Sequence, residues 1–251
     1  MASTTPLTFN SYVSQIATLA VVNTTTLGSL TVFSDAAMNT ILPQMLNYAE
    51  LRIQRDLDLM PLQTSNSAYS LTSGNNLISI AVGDFVTLQN IILTASGTPL
   101  LPVSKEFLQN VYGYGSTQGA PMYFAPYGGD SSTAGNTSQI FMVGPYPDQS
   151  YALTLVGTIR APTLYVTSGA GTNTTFISTY MPDLLIMASM VYVSGFQRNF
   201  GRQSDDPSMA VSYESQYQDL MKAAIGEEYR KKFEASAWSS MSTPLPATPT
   251  R

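Results

Sequence analysis

Two adjacent acidic pairs, Asp205-Asp206 and Glu227-Glu228, are the only neighbouring carboxylates in this 251-residue chain. Paired carboxylates can hold a divalent cation or share acid and base roles at a glycosidic bond, but neither pair has a third ligand nearby in sequence. A turn and a helix surface are the roles expected of them. The run Tyr112-Gly113-Tyr114-Gly115-Ser116 has the look of a glycine loop. It lacks the lysine of a phosphate-binding loop and precedes no clear helix, so a surface loop is expected there. Tyr112, Tyr114, Tyr123, Phe124 and Tyr127 crowd one short region and could stack on sugars or bases, or serve the core and subunit contacts that claim many aromatics. The chain has no histidine and no cysteine. That removes imidazole bases, thiolate nucleophiles, disulfides and the ordinary zinc and haem ligands. No catalytic residue, cofactor site or metal site is expected.

The charges that remain are unevenly placed. Between Pro61 and Tyr180 only Asp84, Lys105, Glu106, Asp130, Asp148 and Arg160 are charged, and the other 21 of the 27 charges lie toward the two ends. The ends read as helices and the centre as strands, so the ends must come together around an inserted β-rich unit for either to bury its apolar face. A formal charge of −5 gives a phosphate backbone little to bind. The basic run Arg230, Lys231 and Lys232 follows Glu227 and Glu228 in a helical pattern, as suits a solvated helix end. Met1 to Phe9 lacks the positive and apolar regions of a signal peptide. The most apolar stretch, Leu184 to Phe196, falls short of the roughly 18 residues that span a bilayer, so no membrane partner is expected.

Phe9, Tyr12, Val13, Ile16 and Leu19 recur at spacings of three and four, one face of a helix from about Thr8 to Val22, with a polar turn at Asn23 to Thr26. Ser34 and Asp35 are a plausible cap for a second helical region, and Pro43 suits the first turn of a fresh helix. Leu46, Ala49, Ile53 and Leu57 then form a stripe, with Glu50, Arg52, Arg55 and Asp56 off it, until Pro61. Strands are expected up to Leu71-Thr72, at 77–82, 85–95, 122–124, 139–143 and 151–159, with turns at 73–76, 83–84 and 96–99. Ser104, Phe107, Leu108 and Val111 indicate a short helix between them. From Tyr151 to Thr158, Tyr151, Leu153, Leu155 and Gly157 oppose Ala152, Thr154, Val156 and Thr158, the period-two arrangement of a half-buried strand whose polar face is hydroxyls. A surface solubilised by Ser, Thr, Asn and Gln suits packing against identical neighbours, or reflects a bias of composition alone.

Helix returns at Pro182 with Asp183 beside the positive end of its dipole, and Gly195 is a possible close-packing point. Gly201 to Asp206 reads as a turn, and Pro207 opens the longest helix, burying Tyr213, Tyr217, Leu220 and Ala224 while Glu214, Asp219, Lys222, Glu227, Glu228 and Arg230 face out. After Trp238 three prolines favour an extended tail. The expected fold class is α+β: a helical bundle from 1–60 and 181–238, an inserted antiparallel β-rich domain at 61–180, and an extended tail at 239–251.

Four stretches carry a family resemblance. They are Leu42-Pro43 to Leu57; Val103 to Tyr112 followed by Gly119-Ala-Pro-Met-Tyr-Phe124; Val143-Gly-Pro-Tyr-Pro-Asp148 through Tyr151 to Leu155 and on to Ala161-Pro-Thr-Leu164; and Tyr180-Met-Pro-Asp-Leu-Leu185 with the long helix after it. In this order, over about two-thirds of the chain, they resemble the head-to-tail adaptor, or head completion, proteins of tailed bacteriophages, especially those with short tails. The resemblance implies a non-enzymatic structural virion protein: a homo-oligomeric ring, usually a dodecamer, that joins the portal protein to a tail or nozzle protein. Genomic DNA would pass through its channel without sequence-specific binding. The location implied is the head-tail junction of the virion, with assembly in the host cytoplasm. The tail then supplies the portal-binding residues, Trp238, Met241, Pro244, Leu245, Pro246 and Arg251. The excursions at 128–137 and 166–174, and the connection Asn23 to Phe33, depart from the pattern. A β-rich receptor-binding or fibre-type module holding glycans on its tyrosine-rich loops is the alternative, which two long terminal helices do not suit. A carboxylate-based hydrolase comes third.

Overall fold

The computed structural model describes residues 6–81, 83–113, 117–130, 138–199 and 208–235. It mixes helix and sheet in two compact units, Met1–Met60 with Pro162–Arg251, and Pro61–Ala161. All six charged residues of the sparsely charged centre belong to the second unit.

In the first unit α1 (Phe9–Ala20) opens on Thr8, whose hydroxyl accepts the Ser11 N–H at 3.3 Å. Its Phe9, Tyr12, Val13 and Ile16 are buried as their spacing requires, whereas Leu19 lies toward solvent and Ala17 and Ala20 complete the stripe. The segment expected as a turn is instead a hairpin, β1 (Thr24–Leu27) paired antiparallel with β2 (Leu30–Phe33). Asp35 caps α2 (Ala36–Asp56), accepting from Ala37 and Met38 N–H. This helix is continuous through Pro43, where no fresh helix begins. An interior proline removes one ladder donor, and burial of Met38, Leu42, Met45, Leu46, Ala49 and Ile53 on one face offsets that loss.

α4 (Phe176–Tyr180), capped by a reciprocal Thr175–Ser178 box, leads into α5 (Pro182–Asn199). α1, α2, α4 and α6 (Ser208–Ala235) each pack on α5. Leu184, Leu185, Ala188, Met190 and Val193 of α5 are buried. Among the described residues Gly195 has no packing partner: it is exposed, and a Cβ there would meet none of them within 4 Å. Residues 162–180, expected within the insert, lie in this unit. Their uncharged, turn-rich composition resembles the strand connections, but Leu164 and Ile177 are buried and Leu7 N–H bonds the Ser178 carbonyl at 3.2 Å.

A single 3-10 turn, Met60–Leu62, carries the chain into the second unit. One sheet orders β3 (Gln63–Leu71), β12 (Tyr151–Thr158), β5 (Thr87–Leu93) and β6 (Thr98–Pro99). Another orders β4 (Leu77–Ile80), β10 (Ser138–Gly144), β9 (Tyr123–Asp130) and β7 (Leu101–Pro102), and β8 (Gln118–Gly119) pairs with β11 (Tyr146–Pro147). Pairing is antiparallel except for the short β7–β9 and β8–β11 contacts, which are parallel. β12 alternates as expected, with Leu153, Leu155 and Gly157 inward. Leu71, Ile78, Ile80, Phe85, Ile91, Leu93, Leu100, Phe124, Val143, Leu153 and Leu155 form one core. Gly157 sits where the β12–β5 register shifts, and a Cβ there would strike the Thr87 carbonyl and the Phe85 ring.

Candidate interaction surface

α3 (Lys105–Tyr112) lies on β9 and β10 in the second unit. Ser104 starts it, accepting the Phe107 N–H at 3.2 Å, and Gly113 at φ +47° ends it. Gly144 permits the close approach: a Cβ there would lie 2.8 Å from Leu108 Cδ2 and 2.7 Å from the Tyr112 ring. Leu108 is buried, but Phe107 and Val111 are exposed. With Leu101 and Met122 they add to the exposed apolar surface of this unit.

Beside α3 is a cleft of about 330 Å³ lined by Tyr112, Tyr127, Tyr146, Asn76 and Gln109 together with apolar residues that include Met142. Among the described residues no charged side chain lines it. Tyr112 stacks toward Tyr123 at 6.2 Å between ring centres, and Tyr123 meets Phe107 edge-on at 5.8 Å. Partial burial and the neighbouring Tyr123 push the Tyr112 hydroxyl above its ordinary range. Lys105 Nζ sits 4.2 Å from the centre of the Tyr127 ring. Of the five crowded aromatics, Phe124 serves the core, Tyr112, Tyr123 and Tyr127 form this surface, and Tyr114 lies outside the described residues.

The polar side chains of the first unit hold segments together. Arg52 of α2 makes a two-pronged ion pair with Glu214 of α6, one arm at 2.8 Å, while its guanidinium lies 4.1 Å from the centre of the Tyr217 ring. The fully buried Tyr217 donates its hydroxyl to Asp56 at 2.9 Å. The Arg52 hydrogen bonds hold the Glu214 carboxyl below its usual range, against the opposing effect of burial. Asn10 fastens two loops to the start of α1, donating to Ser29 and Ala170 carbonyls at 2.9 and 3.2 Å and accepting the Thr31 N–H at 2.8 Å.

Two carboxylates expected at the surface are inside. Glu50 is 3 % exposed and accepts the Leu164 N–H at 2.8 Å. Burial pushes its carboxyl above the usual range, opposed by hydrogen bonds from the Thr163 hydroxyl and the Leu164 N–H. Glu228 is 4 % exposed and accepts from Lys231 Nζ at 2.8 Å and from Met60 N–H at 3.3 Å. Each carboxylate satisfies a backbone donor from a distant segment, a use that helical spacing cannot reveal. Asp205-Asp206 and Gly115-Ser116 lie outside the described residues, as do all six tail positions, Trp238, Met241, Pro244, Leu245, Pro246 and Arg251. Among the described residues no group of three or more acidic side chains is placed to hold a metal ion, and no helix is long and apolar enough to cross a membrane.

The polar groups of the first unit fasten its segments, and the second unit presents an aromatic surface with Lys105 on the Tyr127 ring. The family model for the SU10 adaptor protein matches residues 11–244, nearly the whole chain, and the chain belongs to this family of phage adaptor proteins. No curated protein matches it.

Proposed function

We propose that this adaptor forms a dodecameric ring beneath the portal vertex, joins it to a tail or nozzle protein, and continues the channel through which the genome leaves. In this reading the helices of both chain ends form the bundle that stands in the ring, and the unit Pro61–Ala161 is the insert that meets neighbours or tail components. The observation that carries the reading is the family correspondence over residues 11–244. The uneven charge supports it: a unit with six charges can repeat around an axis without like charges meeting at each junction. A net charge of −5 lets DNA pass with few phosphate contacts to release.

The segment from Trp238 to Arg251 supplies the portal contact, with Trp238, Met241 and Leu245 as anchors and Pro244, Pro246 and Pro249 limiting the entropy lost on docking. Removing residues 240–251 tests this. The expected result is nearly unchanged thermal unfolding of the free protein with sharply weakened portal attachment. Full attachment by the truncated chain would move the portal contact elsewhere.

A further inference from the structure

We propose that the cleft bounded by Tyr112, Tyr127 and Tyr146 is a docking site for an extended, proline-containing segment, and that its occupant is the Pro244–Pro249 stretch of a second copy of this chain. The choice of a second copy rests on the several-copy reading above.

The chemistry of cleft and segment is complementary. A polyproline-type segment has carbonyls in excess of N–H groups and presents pyrrolidine rings that pack on aromatic faces. The cleft offers three tyrosine rings, the hydroxyls of Tyr127 and Tyr146, and the amide groups of Asn76 and Gln109. No charged side chain lines the cleft among the described residues, although Lys105 sits on the Tyr127 ring, and none occurs from Ser239 to Thr250. A cleft of about 330 Å³ falls at the small end of ligand sites, enough for a short stretch such as Pro244-Leu245-Pro246. A neutral saccharide could also stack on tyrosine, but the cleft lacks the carboxylates that commonly bind paired sugar hydroxyls. Portal then competes for the same residues, so the cleft holds the segment only until portal is met.

Labelled peptide of residues 239–251, titrated with the full chain and followed by fluorescence anisotropy, tests the site. Saturable binding is expected, weakened at least about tenfold when Pro244, Pro246 and Pro249 of the peptide are replaced by alanine. Gln109→Ala and Tyr127→Ala, both at exposed positions, should weaken binding several-fold while leaving the melting profile in place. No binding, binding indifferent to both cleft variants, or binding of neutral oligosaccharides in place of the peptide would overturn the site. Sedimentation of the full chain, without portal, tests the occupant. Weak self-association at high concentration is expected, and it should disappear in the P244A/P246A/P249A chain. A chain that captures peptide but stays monomeric well above the peptide's Kd would overturn the second-copy occupant, whatever the outcome with portal.

Discussion

The join between α2 and α6 can be measured through Arg52 and Glu214, which stand 162 positions apart in sequence yet form a two-pronged pair. Their side chains are 23 % and 37 % exposed, so solvent screens the pair and its net worth is about 0.5–1 kcal/mol. The guanidinium over the Tyr217 ring adds about 0.5–1 kcal/mol that Arg52 alone can lose. Arg52→Ala should therefore cost about 1–2 kcal/mol, Glu214→Gln about 0.5–1 kcal/mol, and the double variant less than their sum. The assay is urea unfolding of the four chains, followed by helical circular dichroism at pH 7 and again at acid pH. The folded Glu214 carboxyl titrates below its unfolded value, so its contribution is present above the unfolded value and is lost as pH falls through the folded one. The coupling energy must therefore shrink in acid. Costs that add to within about 0.3 kcal/mol at pH 7 would refute the claim that this pair ties the helices together.

Glu50 should behave in the opposite sense. Its folded value is raised, so its stabilising contribution is present below the unfolded value and lost as pH rises through the folded one; Glu50→Gln should gain on the parent chain over that rise in urea unfolding. Gly157→Ala should destabilise the sheet-rich unit by about 1–3 kcal/mol, because the added Cβ strikes the Thr87 carbonyl. Gly195→Ala, in open space on α5, should be neutral or stabilising by up to about 1 kcal/mol, and thermal melts of the two variants would separate the cases. Asn10→Ala removes three hydrogen bonds and should cost about 1–3 kcal/mol, with faster proteolytic cleavage around 169–171 as its local signature.

Helices were legible where helically spaced apolar residues met a capping residue, as at Thr8 with Phe9 to Ile16 and at Ser104 with Phe107, Leu108 and Val111. β12 was legible because Leu153, Leu155 and Gly157 take every second position against Ala152, Thr154, Val156 and Thr158. β3 was read only at its end, since Gln63-Thr-Ser-Asn-Ser-Ala-Tyr-Ser lies largely exposed and has no apolar face to show a period. The hairpin at Thr24 to Phe33 was missed for a related reason: all of β1 is exposed, and its pairing with β2 fixes it. Pro43 misled because local preference forbids what the buried face of α2 enforces. Leu19, Glu50 and Glu228 show the limit of a helical wheel. Such a wheel gives angular position, while burial also depends on what packs beside the helix, and for the two carboxylates on which distant N–H groups need an acceptor. The aromatic cluster was visible in the sequence, but its cleft depends on Gly144 letting α3 settle on β10.

The central claim is that this adaptor builds a ring on the portal. Electron microscopy of the purified chain, alone and mixed with its portal, tests it most directly. The chain alone should be largely monomeric, and in the mixture a ring should appear against the portal with the portal's own symmetry. A stable oligomer of different symmetry formed without portal, or portals that stay bare in the mixture, would contradict the account.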